Sequence, residues 1–165
     1  MFKEILILAG IMLLPFIEIR LAIPVGILTG VMNLPFGISL KGFGFPPLFV
    51  FLLASIMGFV LAFLVRNFLF TFDKSLQKSR VGKRYIKLLH KAQRKIHPYV
   101  EKYGLWGLAI YISLPFPGSG IYSGSIAGYV IGMEKTRFYL AALIGSTLAS
   151  TVVTSLVVLG MSFFV

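Results

Sequence analysis

LPFIEIRLAIP at residues 14–24 and LPFPGSGIYSG at residues 114–124 lie inside two apolar stretches and interrupt both. A water-soluble core has no use for long hydrophobic runs with proline-rich, polar centres. At membrane depth such a break exposes backbone and side-chain groups that an unbroken helix keeps satisfied, which is how transporters build their sites. The pair directs the fold reading to an all-α membrane protein and the functional reading to these two segments.

Composition agrees. Hydrophobic residues make up 58% of the 165, with a mean hydropathy of +0.93, far above the roughly half-apolar make-up of soluble domains. The length allows one membrane domain, residues 1–165. With spans of about 20 residues it holds only a few of them, so a homodimer is expected. There is no cysteine, which excludes disulfides and thiolate metal sites. The N-terminal MFKEILILAG stays apolar past Pro15 without a small-residue cleavage site and reads as part of the mature protein.

The net charge of +11 is concentrated in one place. Eleven of the sixteen Lys and Arg residues lie in 66–102, against Asp73 and Glu101. Basic residues mark the cytoplasmic side, so this block is expected in the cytoplasm, beside anionic lipid head groups, in a multi-pass protein of the cell membrane. Nucleic-acid binding is the weaker reading on so hydrophobic a chain.

Ile5 to Leu14 and Leu21 to Met32 flank the first break, and at 1.5 Å per residue neither crosses a hydrocarbon core of about 30 Å. Residues 1–32 are therefore expected to form a re-entrant hairpin. Asn33 to Pro47, with Gly37, Gly42, Gly44, Pro46 and Pro47, reads as a loop. Residues 48–65 form an uninterrupted apolar run closed by Arg66, the pattern of a transmembrane helix. The basic segment, 66–103, contains an amphipathic helix over Lys83 to His97: Tyr85, Leu89, Ala92 and Ile96 share a stripe opposite Lys83, Arg84, Lys87, Lys91, Arg94 and Lys95. A second re-entrant hairpin is expected over 104–134, since a full crossing would leave Lys135 and Arg137 outside. A last transmembrane helix follows over 138–165. Hairpin plus helix on either side of the basic segment, entering from opposite faces, is an inverted repeat.

Glu18 and Arg20 are the charged residues within the hydrophobic stretches proper. Each costs on the order of 2.5–3.5 kcal/mol at mid-membrane, so a cavity or a partner is expected for both. Unwinding between the breaks at Pro15 and Pro24 would let them converge, with Glu18 as a proton carrier or as the group that positions Arg20, or with the two as a structural ion pair at the hairpin tip. The second break carries Pro115, Pro117, Gly118 and Gly120, which free several backbone amides and carbonyls; the amides either form an anion-accepting nest at a helix N-terminus or belong to a hairpin tip that needs tight turns and nothing more. Ser119 and Tyr122 add hydroxyls, which makes Glu18, Arg20, Ser119 and Tyr122 the candidate substrate and proton-coupling residues. Gly120, Gly124, Gly128 and Gly132 recur every fourth residue, as close helix packing requires. The hydroxyls of the last helix either line a polar path or bond to carbonyls of their own helix. No nucleophile and base pairing, phosphate loop, dinucleotide fingerprint or metal-ligand cluster occurs, so no cofactor, metal or enzymatic reaction is expected.

Glu18, Arg20, Ala22 and Pro24 in LPFIEIRLAIPVGI resemble the first signature of the small multidrug export protein family. Pro115, Pro117, Gly118, Ser119, Gly120, Tyr122 and Gly124 in LPFPGSGIYSGSIAG resemble its second. EKYGLWGLAIYISLPFPG is more distantly similar to the DedA/VTT superfamily, which implies paired re-entrant hairpins and movement of lipids such as polyprenyl phosphates, sometimes with proton coupling. The arginines that DedA proteins carry around the second break have no counterpart between Leu114 and Gly120. The reading that results is a transporter of a small or lipid-like substrate, anionic where Arg20 engages it, with proton coupling through Glu18. A lipid flippase or scramblase is the alternative within that class, and a non-transporting scaffold acting through the basic helix is the alternative outside it.

Overall fold

Each broken stretch folds as two short helices followed by a long one. The computed structural model describes residues 2–15, 17–34, 38–76, 103–114 and 120–164. Helix α1 (Phe2–Met12) ends ahead of Pro15, its last turn tightened by bonds from the Leu13 and Leu14 amides to the Gly10 and Ile11 carbonyls, each 3.1 Å. Helix α2 (Glu18–Ile27) follows after five residues. It runs through Pro24, which was expected to be a break. Proline cannot donate to the carbonyl four residues back, but a membrane helix tolerates that loss where neighbours cover it.

The stretch expected as a loop, Asn33 to Pro47, contains strand structure. Strands β1 (Val31–Leu34) and β2 (Ile38–Lys41) pair antiparallel, Val31 opposite Lys41 and Leu34 opposite Ile38. The protein is thus predominantly helical and not purely so. The chain beyond β2 closes the end of α2: the amides of Phe43, Gly44 and Phe45 donate to the carbonyls of Val25, Leu28 and Gly26 at 3.0, 3.3 and 2.8 Å. These carbonyls would otherwise be orphans of a helix C-terminus.

Helix α3 (Pro47–Leu76) does not stop at Arg66 as expected. The guanidinium is absorbed inside the helix's length, its Nη2 donating to the Met133 carbonyl at 3.2 Å and its face lying 4.6 Å from the Phe138 ring centroid. The amphipathic helix expected over Lys83 to His97 lies outside the described residues. Beyond it come α4 (Tyr103–Ser113), α5 (Ile121–Val130) and α6 (Lys135–Phe164). Helix α5 ends in a Schellman motif, with Gly132 at φ 74° and the Met133 amide returning to the Gly128 carbonyl at 3.0 Å. Spans Pro47–Phe72 and Lys135–Met161 are long and apolar enough to cross a membrane, and their most apolar windows are only 28% and 33% buried, unlike the core helices of a soluble protein.

Glycines fix how the helices meet. A Cβ on Gly58 of α3 would lie 2.8 Å from the Ser146 Cβ of α6 and 2.9 Å from the Ile121 Cδ1 of α5, so these three positions share one layer. Eight residues further along α3, Arg66 meets Phe138, eight residues back along α6, so the two long helices run antiparallel. Gly128 of α5 faces Phe138 of α6 and Leu108 of α4, at 2.8 and 3.0 Å from its would-be Cβ, while Gly124 faces Ile112. In the first half, Gly26 of α2 faces Leu8 of α1 and Val50 of α3, each at 3.0 Å. The core, from Leu8, Met12 and Ile23 to Ile112, Ile121 and Phe138, fills the space between these crossings.

Overpacking such a contact costs roughly 1–3 kcal/mol. Gly26→Leu and Gly128→Leu are accordingly expected to lower the unfolding temperature in detergent, whereas Gly160→Leu, with open space around its Cβ position, is expected to leave it nearly unchanged.

Candidate functional site

The second break separates the carbonyls at the end of α4 from the amides at the start of α5, to which Gly120 brings no side-chain cap. The first turn of α2 supplies both partners. Glu18, 7% exposed, accepts from the Ile121 amide at Oε2 (3.3 Å) and from the Tyr122 amide at Oε1 (3.1 Å). Arg20 Nη2 donates to the Leu114 carbonyl and, at 3.4 Å, to that of Ile112. An anion thus lies on the positive end of α5 and a cation on the negative end of α4, the favourable sense for both helix dipoles. Hydrogen bonds with an ionised partner are about twice as strong as neutral ones, and here they cross from one half of the chain to the other.

The second half returns the contact. Tyr122 donates its hydroxyl to the Leu13 carbonyl, freed where α1 ends before Pro15. Each break therefore satisfies groups that the other exposes.

Backbone geometry is bent to this purpose. Glu18 takes φ 46°, a left-handed value unusual for a non-glycine residue, at the first position of α2. Such a residue costs on the order of 1–3 kcal/mol and persists only where its surroundings hold it. Gly120, at φ 146°, approaches the carboxylate so closely that any Cβ would collide with Glu18 Oε2. The glycine stripe thus has a split role. Gly124 and Gly128 admit helices, Gly120 admits a charge, and Gly132 ends α5.

Of the expected site residues, the structure brings together Glu18, Arg20, Tyr122 and Gly120, with Pro15 ahead of them in the first break. Pro24 stands apart, inside α2. Ser119, Pro115, Pro117 and Gly118 lie outside the described residues. Glu18 and Arg20 converge from a helical turn, not from an unwound stretch reaching to Pro24. The nest expected for an outside anion falls on residues 115–119, outside the described residues, and the amides of Ile121 and Tyr122, just beyond, hold the protein's own carboxylate. Sequence reading missed the Leu13, Ile112 and Leu114 carbonyls, since backbone groups leave no mark in composition. The signal available was indirect: a helix broken next to proline must have carbonyls to satisfy.

Fold and site together define a membrane protein built around two broken helices. The family model described as "Putative small multi-drug export protein" matches residues 18–152, most of the chain, and the chain belongs to that family. No curated protein and no solved structure gave a match.

Gly120→Ala is expected to destabilise the protein by about 2 kcal/mol, from the strained φ and the collision with the carboxylate. Adding Glu18→Ala should recover part of the loss, because the collision goes with the carboxylate. A double-mutant cycle by thermal unfolding in detergent measures that coupling.

Proposed function

We propose that the protein is a proton-coupled exporter of small molecules, multi-pass in the cell membrane, in which Glu18 alternates between binding the start of α5 and carrying a proton. The observation that carries this reading is the Glu18 carboxylate on the Ile121 and Tyr122 amides. Protonation removes the charge from that contact, and with it the principal attraction between the two breaks. An anionic substrate group would compete for the same amides, which gives substrate and proton one point of exchange.

The contacts support two re-entrant hairpins in inverted arrangement. Leu108 lies beside Gly128 and Ile112 beside Gly124, so α4 approaches the Glu18 layer from the end where α6 begins, and α5 goes back to that end. Leu8 beside Gly26, and Tyr122 bonded to Leu13, give α1 and α2 the same course from the opposite end. Gly26 with Leu8 and Val50 has its counterpart in Gly128 with Leu108 and Phe138. Two half-helices that turn back at mid-depth are the usual frame for alternating access. The positive charge of the 66–102 block favours a cytoplasmic position for the neighbouring helix ends, against anionic lipid. Among the described residues one copy supplies two helices long enough to cross, and a homodimer is the assembly we assign to it.

The test uses purified protein in liposomes, with fluorescent amphipathic solutes and a fluorescent anionic lipid as separate cargoes, with and without a pH gradient. Wild type should move a solute faster with the gradient, and Glu18→Gln should fold yet lose at least about tenfold of that dependence, the order by which removing one general acid–base group acts. Gradient-driven transport of undiminished size in Glu18→Gln would overturn the role. Movement of the lipid alone would turn the reading to lipid translocation. Since the chain has no cysteine, Ser79→Cys gives the sidedness: an impermeant thiol reagent is expected to reach it only from the cytoplasmic face.

A further inference from the structure

Serine and threonine in apolar helices ordinarily bond to a carbonyl one turn back. Helix α6 does this at Ser146 and Thr147, both onto the Leu143 carbonyl at 3.2 and 2.8 Å, and at Thr151 onto Thr147 at 2.8 Å. Ser150 and Thr154 do not. Their hydroxyls are buried with no hydrogen-bond partner, and so is that of Ser125 on α5. Ser125 and Ser150 are fully buried residues. Leaving a buried hydroxyl unsatisfied is costly, and each such group in a native structure needs a reason.

Their depths supply one. Ile121 and Ser146 share the layer of Gly58, and the carboxylate of Glu18 lies in it, on the Ile121 amide. Ser125 is one turn along α5, toward the end where α6 begins. Ser150 and Thr154 are one and two turns along α6, in the opposite direction, about 6 and 12 Å from the layer at 1.5 Å per residue. The remaining buried polar atoms without partners among the described residues are Arg66 Nη1 and the Tyr139 hydroxyl. Both belong to the level of Phe138, beyond Ser125. In order of depth the unpartnered groups run Arg66 and Tyr139, Ser125, then the Glu18 layer, then Ser150 and Thr154.

We infer that these groups line two water pathways, one from each face of the membrane, that open in turn onto Glu18 and are closed in the state described here. Ser125 with Arg66 and Tyr139 marks one pathway, and Ser150 with Thr154 marks the other. The ligand is water, which a hydroxyl serves both as donor and as acceptor, so a file of hydroxyls and water passes protons, and the Arg66 guanidinium stands at the outer end of one pathway, where it serves water as donor alone. The unsatisfied hydroxyls raise the free energy of the closed state, and hydration on opening relieves it. The inference rests on the alternating-access reading above for the order in which the pathways open, and on the contacts alone for where they lie.

The natural absence of cysteine permits a direct test on the full chain in liposomes. Ser125→Cys, Ser150→Cys and Thr154→Cys are exposed to a charged, impermeant methanethiosulfonate reagent from one face at a time, with the buried Ala142→Cys and Ala149→Cys as controls for the two serines and the part-buried Val157→Cys as the control for Thr154. Ser125→Cys is expected to react from the face where α6 begins and Ser150→Cys and Thr154→Cys from the other, each about tenfold faster than its control, as a thiol that opens to water even in a minor population does. Rates equal to the controls, or reaction of all three from one face, would overturn the inference. A second measurement needs no thiol: Ser125→Ala and Ser150→Ala, which remove an unsatisfied group, should raise the unfolding temperature and slow transport. A lowered unfolding temperature would mean that these hydroxyls are bonded, and the pathways would fall. Sided labelling together with normal transport in Glu18→Gln would leave the pathways standing and the proton role refuted. The reverse result would do the opposite.

Discussion

The carboxylate of Glu18 on the amides of α5, with the guanidinium of Arg20 on the carbonyls of α4, is the contact on which the rest of the protein depends. Each of its components is unfavourable alone. A charge at mid-membrane costs several kcal/mol, and a helix that stops in apolar surroundings leaves amides or carbonyls without partners. Placed together they cancel, because the charges are of the sign that each helix end attracts. The halves are consequently interdependent: α4 and α5 need residues a hundred positions earlier to be stable as separate pieces, and the broken end of α1 needs Tyr122.

This explains which parts of the molecule could be read in its sequence. The membrane setting was visible in composition, and the two breaks were visible as proline in apolar runs, because both follow from one-dimensional rules. Glu18 and Arg20 stood out because charge in such a stretch is rare. Their partners did not stand out, being main-chain groups of Leu114, Ile112, Ile121 and Tyr122 that any residue would carry. Pro24 was misread because a local helix breaker can be overruled when its surroundings cover the missing bond. Arg66 was misread for a similar reason: its charge suggested an end, yet the Met133 carbonyl and the Phe138 face accommodate it within α3. The β1–β2 ribbon escaped notice because two four-residue strands beside Gly37, Gly42, Gly44 and the Pro46-Pro47 pair are too short for a period of two to show against the turn formers.

Small residues do as much as the charges. Gly58 lets α3 lie against α5 and α6 at once, Gly26 and Gly128 bring each returning half-helix onto its neighbours, and Gly120 makes room for an oxygen where any other residue would place carbon. With no difference in hydrophobicity between lipid and neighbouring helix to drive association, close approach supplies the attraction. Ser146 fits the crossing at Gly58, and Ser125 and Ser150 are buried as fully, which places small side chains with hydroxyls in the interior.

The two returning half-helices finish differently. Helix α5 closes on itself through Gly132, using only its own backbone. Helix α2 has its last carbonyls taken by Phe43, Gly44 and Phe45, so it is stitched to the chain that leads from β2 into α3. Two short helices of equal length, each leading to a long one, are therefore closed by different means. Displacing α2 from the chain ahead of α3 would break three main-chain bonds, whereas the turn that ends α5 keeps its own main-chain bonds and is tied to α3 through one side chain, Arg66 on the Met133 carbonyl.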